Sequence, residues 1–152
     1  MLMRDSVTAH GWFIVEVNRG DSNKKEVYIV QNRVVRQGRW FMLRNTVGVN
    51  TVSIDYVAVS NSNTAVSDTE TQLPGTFRNA KTATKSRVSA TTVQWQASWS
   101  AGELNGQTIY SYALVTETTN YTEFSRVVHS TGITFGANDT LSVTYQLTLT
   151  AS

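Results

Sequence analysis

Cysteine is absent from the 152-residue chain, which excludes disulfides and cysteine-ligated zinc or iron–sulfur centres and leaves stability to packing or assembly. Proline occurs once, and charged residues make up only 16%, against about 25% in an average soluble domain. Histidine occurs twice, as His10 and His129, with neither a His-x-x-x-His nor a Glu-x-x-His spacing. Glycine-rich phosphate loops and a Gly-x-Ser-x-Gly elbow are also missing. No segment approaches the ~20 apolar residues of a membrane span, and Met1-Leu2-Met3-Arg4-Asp5-Ser6 lacks the cationic-then-apolar order of a signal peptide. Neither a leader, a span nor a membrane partner is expected.

In place of charge the chain carries Thr, Ser, Asn and Val. β-Branched side chains suit a pleated surface and short polar ones suit turns, so this composition favours strands over long surface helices. Hydrophobic residues at 40% suffice for one core, and the length fits one domain over 1–152. The clearest strand is the last: Leu141, Val143, Tyr145, Leu147 and Leu149 alternate with Ser142, Thr144, Gln146 and Thr148, the period-two pattern of a strand with one buried face. Val93, Trp95, Ala97 and Trp99 repeat it. Gln107 to Glu117 and Tyr121 to His129 are further strand candidates. In the front half, Gly11 to Val17, Glu26 to Val35, Arg39 to Thr46 and Val52 to Ser60 are extended candidates, with a helical turn as the alternative for Arg39 to Thr46.

Asn18-Arg19-Gly20-Asp21, Gln37-Gly38, Gly48-Val49-Asn50 and Asn105-Gly106 carry turn residues. Asn120-Tyr121-Thr122 and Asn138-Asp139-Thr140 match a glycosylation sequon and are also read as turns. A polar connection at about 60–76 ends at Pro74-Gly75, with Ala65 to Gln72 a candidate short helix. The predicted architecture is all-β: a single antiparallel β-sandwich or jelly-roll-like domain. Its expected core includes Trp95, Trp99, Leu141, Val143, Tyr145, Leu147, Ile109 or Tyr110, Ile54 and Val57.

Catalysis needs titratable groups that converge, and the two histidines show no such spacing. Asp68 with Glu70, Asp21 with Glu26, and Glu117 with Glu123 do not match a calcium loop, and read as solvated loop acids. No catalytic, metal or cofactor residue is assigned, and a non-enzymatic role is expected.

Charge is unevenly spread. Residues 1–50 hold eight Lys/Arg against four Asp/Glu, whereas 101–152 hold one against four. This is less concentrated than in nucleic-acid-binding domains, so no nucleic-acid partner is expected. Arg33, Arg36, Arg39 and Trp40, beside Gln37-Gly38, combine positive charge with a large ring, as protein interfaces do. They are the candidate partner-binding residues.

Ile54-Asp55-Tyr56-Val57-Ala58-Val59, the polar Ser60 to Asp68 and Thr69-Glu70-Thr71-Gln72-Leu73 resemble a pattern in which a tyr-x-ala-x-gly strand leads to a Thr-rich loop and an acidic turn. The likeness continues through Ala101-Gly102-Glu103-Leu104-Asn105-Gly106 and the strand Thr140 to Thr150. Gly11-Trp12-Phe13, Gln31-Asn32-Arg33-Val34-Val35 and Gly38 extend it to the front. The sequence departs from the pattern at Val59-Ser60-Asn61, where a glycine is common, and at Ser111-Tyr112-Ala113-Leu114, where a Gly-Leu-Phe turn is common. The pattern is that of small β-rich virion structural proteins of tailed bacteriophages. The resemblance implies a capsid decoration or cement protein that stabilises the head, with a tail, collar or adaptor subunit as the alternative and a carbohydrate-binding tip as a third. It implies a location in the virion after synthesis in the host cytoplasm, with the major capsid protein or another virion protein as partner. A homo-oligomer is expected, because linked copies multiply weak contacts on a repeating lattice.

Overall fold

A computed structural model describes residues 7–151, apart from the side chain of Arg33. The opening hexapeptide considered above as a leader lies outside the described residues. The chain runs β1 (Val7–Arg19), β2 (Lys24–Val34), α1 (Arg36–Val47), β3 (Tyr56–Ser60), β4 (Arg78–Thr82), β5 (Thr84–Arg87), β6 (Thr92–Trp99), β7 (Thr108–Val115), β8 (Glu123–Thr134) and β9 (Thr140–Ala151). Two antiparallel sheets pack face to face as an all-β sandwich. One sheet has the order β5-β6-β9-β1-β2 and the other β4-β3-β7-β8.

Single strands that change sheets close both long sides, as at the corners of sandwiches generally. β2 pairs with β1 from Lys24 to Asn32, then passes Arg33 and Val34 to β8. Opposite it, β4 pairs with β3 and its continuation β5 pairs with β6, the changeover falling at Ala83. The two ends of the described chain lie side by side, because β1 pairs with β9 from Val7 with Ala151 to Asn18 with Thr140.

Alternation dictates the core. Phe13, Val15 and Val17 of β1 meet Leu141, Val143, Tyr145 and Leu147 of β9 and Trp99 of β6, all buried. Phe13 and Tyr145 rings lie 4.7 Å apart. The predicted stripes hold, with their outer ends, Val93 and Leu149, reaching solvent. Trp95 is half-buried and donates its indole N–H to the Ile54 carbonyl at 2.9 Å, and Trp99 donates to Asn79 Oδ1 at 2.7 Å. Each ring thus fills core volume while its polar atom keeps a partner. Ile109 is buried and Tyr110 is only half-buried.

The β3–β7–β8 sheet is buried on both faces. Val57, Ala58, Val59 and Ser60 in β3, and Ser111 to Val115 in β7, are all inaccessible to solvent. Sheet β5–β6–β9–β1–β2 covers one face and the connection 61–77 lies across the other. Leu73 packs there against Ala58, Ala113 and Val115. The small outward-facing residues leave room for a loop that a larger side chain would exclude.

Three local expectations are revised. Arg39 to Thr46 is helical, within α1, and the Gln37-Gly38 step falls in its first turn rather than in a reverse turn. Ala65 to Gln72 forms no helix, because its backbone groups bond to neighbouring elements instead. Strand β3 begins only at Tyr56, and 52–55 lead into it as irregular chain. The helix ends where Gly48 adopts φ 69°, placing its N–H near the last carbonyls.

Gly38 fixes how closely α1 sits on β8: a Cβ there would meet the Phe124 carbonyl oxygen at 2.0 Å. Backbone cannot yield as a side-chain tip can. Gly38→Ala is therefore expected to push the helix off the sheet and lower stability by about 1–3 kcal/mol, measured as a lower urea midpoint.

Candidate functional site

The site forms where the first turn of α1, the 61–77 connection and the start of β8 converge. Its centre is Arg126, whose side chain has no solvent exposure. Its position opposite Ala113 in the ladder directs it beneath the connection. All five of its N–H donors are satisfied. Nε bonds Glu70 Oε1 at 2.9 Å and Nη2 bonds Glu70 Oε2 at 2.7 Å, a bidentate pair. Nη1 reaches the Thr64 carbonyl at 2.8 Å and Ser111 Oγ at 3.1 Å, and Nη2 reaches the Ala65 carbonyl at 3.3 Å. Ser111 Oγ in turn donates to the Ser62 carbonyl at 2.6 Å. A planar fork with five donors suits this cluster of carbonyls and one carboxylate, and a lysine could not reproduce it.

Glu123 lies beside this pair, 3.8 Å from Arg126 Nε and fully buried. Burial, then the neighbouring Glu70 carboxylate, push its carboxyl far above the usual range, with Arg126 opposing weakly. Glu70 moves the other way: burial would raise it, but the bidentate bond to Arg126 holds it below the usual range. Glu123 thus holds its proton while Glu70 stays ionised as the partner of the guanidinium, and neither Glu123 carboxyl oxygen has a hydrogen-bond partner among the described residues. Glu70 and Glu123 are therefore structural groups, not the solvated loop acids expected from their polar neighbours. Glu117 is different: although burial acts upward, N–H groups of Thr119, Asn120 and Thr122 and the Thr122 hydroxyl hold its carboxyl down at about 2. It organises the turn into β8.

The helix joins the same junction. Gln37 Nε2 donates to the Thr71 and Glu123 carbonyls, each at 3.0 Å. Arg36 N–H bonds the Asp68 carbonyl at 3.0 Å. Of the four candidate partner-binding residues, Arg36 and Trp40 line a cleft of about 370 Å³ with Gln37, Asp68, Glu70 and Thr71. Arg39, exposed like Arg36, turns instead toward the connection, forming a bidentate pair with Asp68 at 2.9 and 3.0 Å and bonding the Val34 carbonyl at 2.7 Å. Arg33 stands opposite Arg126 in the β2–β8 register, and its side chain lies outside the description. Arg36 and Trp40 are thus brought together at the surface, whereas Arg39 is committed to holding the loop.

The histidines occupy separate places. His10 pairs with Thr148 in the β1–β9 ladder, and His129 packs edge-on against Tyr28 at 4.7 Å. Among the described residues no group of three metal-ligating side chains converges. Arg126 and its two neighbouring acids escaped sequence reasoning, although Arg126 is the only Lys or Arg in residues 101–152, which marks it as a cation with a particular task. Comparison of the chain with protein families, curated proteins and solved structures finds no match.

Two outcomes follow from the cluster. Arg126→Met leaves Glu70 and the loop carbonyls without their donor and is expected to cost ~3–5 kcal/mol, read from urea unfolding. In the folded chain Glu123 keeps its proton at pH values where the unfolded chain has released it. Its contribution to stability is therefore full below the ordinary carboxylate range and is lost as pH rises, by up to about 1.4 kcal/mol per pH unit. The depressed Glu70 contributes stability that is present above its ordinary value of 4.5 and lost on acidification. Glu123→Gln, which keeps the shape of the protonated carboxyl but cannot ionise, is expected to remove the alkaline decline and retain the acid one, in unfolding midpoints measured from mildly acidic to mildly alkaline pH.

Proposed function

We propose that this chain is a non-enzymatic structural protein of a tailed-phage virion that binds the outside of the capsid as a decoration or cement subunit. The observation that carries the contact role is the outer face of α1. Trp40 is 57% exposed, Leu43 62% and Val47 69%, followed by Val49 at 58%. Hollows of about 600 and 860 Å³ flank this ridge, the second reaching Met42 and Leu149. Only Gly38 and Phe41 of the helix are buried, so the ridge is not used to hold the domain together. Contiguous exposed apolar surface of this kind marks an interaction site. Arg36 and Arg44 rim it, and neither has a carboxylate partner among the described residues. The complementary partner surface is apolar with acidic margins.

The likeness to phage virion proteins in the strand and turn patterns supports the location. A rigid sandwich presenting one such ridge suits attachment to a repeating lattice, where bound subunits stabilise the assembled shell by mass action. The Trp40 ring above a cleft holding Asp68, Glu70 and Thr71 favours a second reading, a carbohydrate-binding tip. Sugar-competable binding to cells without particle stabilisation separates it from the first.

Quantitative protein analysis of purified particles tests the assignment. Copy number near that of the major capsid protein, retained on tailless heads, is expected. A few copies travelling with detached tails reject the capsid assignment in favour of a tail, collar or adaptor subunit. The double variant Trp40→Ala with Arg36→Glu alters only the ridge and its rim, and is expected to weaken particle binding by about 30-fold or more while leaving the unfolding midpoint near wild type. Arg39 is unsuitable for this test because its loss would also remove its bidentate bond to the connection. Undiminished occupancy by the folded variant would defeat the contact assignment.

A further inference from the structure

We propose that a second copy of this chain pairs with the free edge of β2, antiparallel and about a two-fold axis through Tyr28. Among the described residues, no strand pairs the outer side of β2 from Lys24 to Asn32, since its ladder to β8 comprises only Arg33 and Val34. Beyond them the two strands part around a notch of about 460 Å³. There β8 meets β2 through the His129 ring on Tyr28, not through backbone pairing.

The other edges are defended. β4 and β5 are short, at five and four residues, and carry Arg78, Lys81, Lys85 and Arg87. Cations on short edges oppose strand addition. The outer half of β8 is broken by a register shift between Ile109/Ile133 and Ser111/Val128. β2 is long and unbroken, and the cations of its pairing segment, Lys24 and Lys25, are confined to one end. Its nine pairs with β1 are continuous, and Val27-Tyr28-Ile29-Val30-Gln31 contains no charge or proline. Val27 is 50% exposed and Ile29 65%.

Self-pairing fits the side chains in one register. With Tyr28 opposite Tyr28, the outward face sets Val27 against Ile29 and Lys25 against Gln31, so apolar meets apolar and no like charges oppose. Shifting the axis to Ile29 places Lys25 against Arg33. Shifting it to Val27 places Lys25 against Ile29. The matched register joins the outward Ile14 and Ile29, neighbours across β1 and β2, to the same residues of the second copy in one apolar strip. The segment from Lys24 to Asn32 contains none of the ridge residues and meets the hollow beside the ridge only at Asn32, and the inference stands apart from the virion reading.

Sedimentation equilibrium of the full chain is expected to give twice the chain mass, and Ile29→Lys the single-chain mass with an unchanged circular dichroism spectrum. Opposed Cα atoms in an antiparallel ladder lie ~4.5–5.5 Å apart, within disulfide reach. The wild type has no cysteine, so Val27→Cys with Ile29→Cys is expected to oxidise to a covalent dimer through two crossed bridges, whereas Lys85→Cys on β5 is not. A wild-type monomer at concentrations well above micromolar overturns the proposal. So does a dimer that survives Ile29→Lys in folded protein, or a double-cysteine variant that fails to cross-link. Should Ile29→Lys not fold, the cysteine pair decides.

Discussion

A guanidinium with no access to solvent holds the outer layer of this protein in place. Arg126 projects from β8 and gathers the Thr64 and Ala65 carbonyls, Ser111 Oγ and both oxygens of Glu70. Each bond is charge-assisted, and together they exhaust its donors. Removing such a cation from water costs several kcal/mol, which only a complete set of partners offsets. The arrangement is therefore close to all-or-none: the loop is seated with every donor used, or the charge must be hydrated and the loop lifted. That condition lets a largely polar connection cover a sheet face usually reserved for apolar side chains.

The rest of the outer layer depends on this seating. Once the loop lies against β7 and β8, Leu73 has a pocket among Ala58, Ala113 and Val115, and Tyr121 reaches the Arg78 carbonyl. Asp68 is placed to receive Arg39, and the Thr71 carbonyl to receive Gln37. The helix is thus anchored at its N-terminal turn to a loop that is itself anchored by Arg126. Its apolar outer face is held rigidly although little of the helix is buried.

The two-sheet architecture was legible wherever one face of a strand is buried and the other wet, because only there does polarity alternate. β9 and the end of β6 show this directly. β3 and β7, buried on both sides, lack alternation but remain readable from their apolar runs. The helix was harder to see. Val35 offers no side-chain cap, Gly38 resembles a turn residue, and Trp40, Phe41 and Val47 favour strands, so tertiary contact with β8 decides against local preference. The candidate site was half legible. Arg36 and Trp40 show their character locally, whereas Glu70 is defined by a partner 56 positions away that no local pattern announces.

The central ladder joins the first and last of the described strands, with β1 beside β9 over twelve residue pairs. Its entropy cost must be met by closing the long loop between Asn18 and Thr140, which slows folding relative to proteins built from neighbouring hairpins. On the ribosome β1 and β2 emerge as a hairpin whose apolar inner face, Phe13, Val15 and Val17, lacks its opposite strand until β9 has been made. The nascent chain carries that exposed surface from the making of β1 until β9 has been made, and only then can the core be completed.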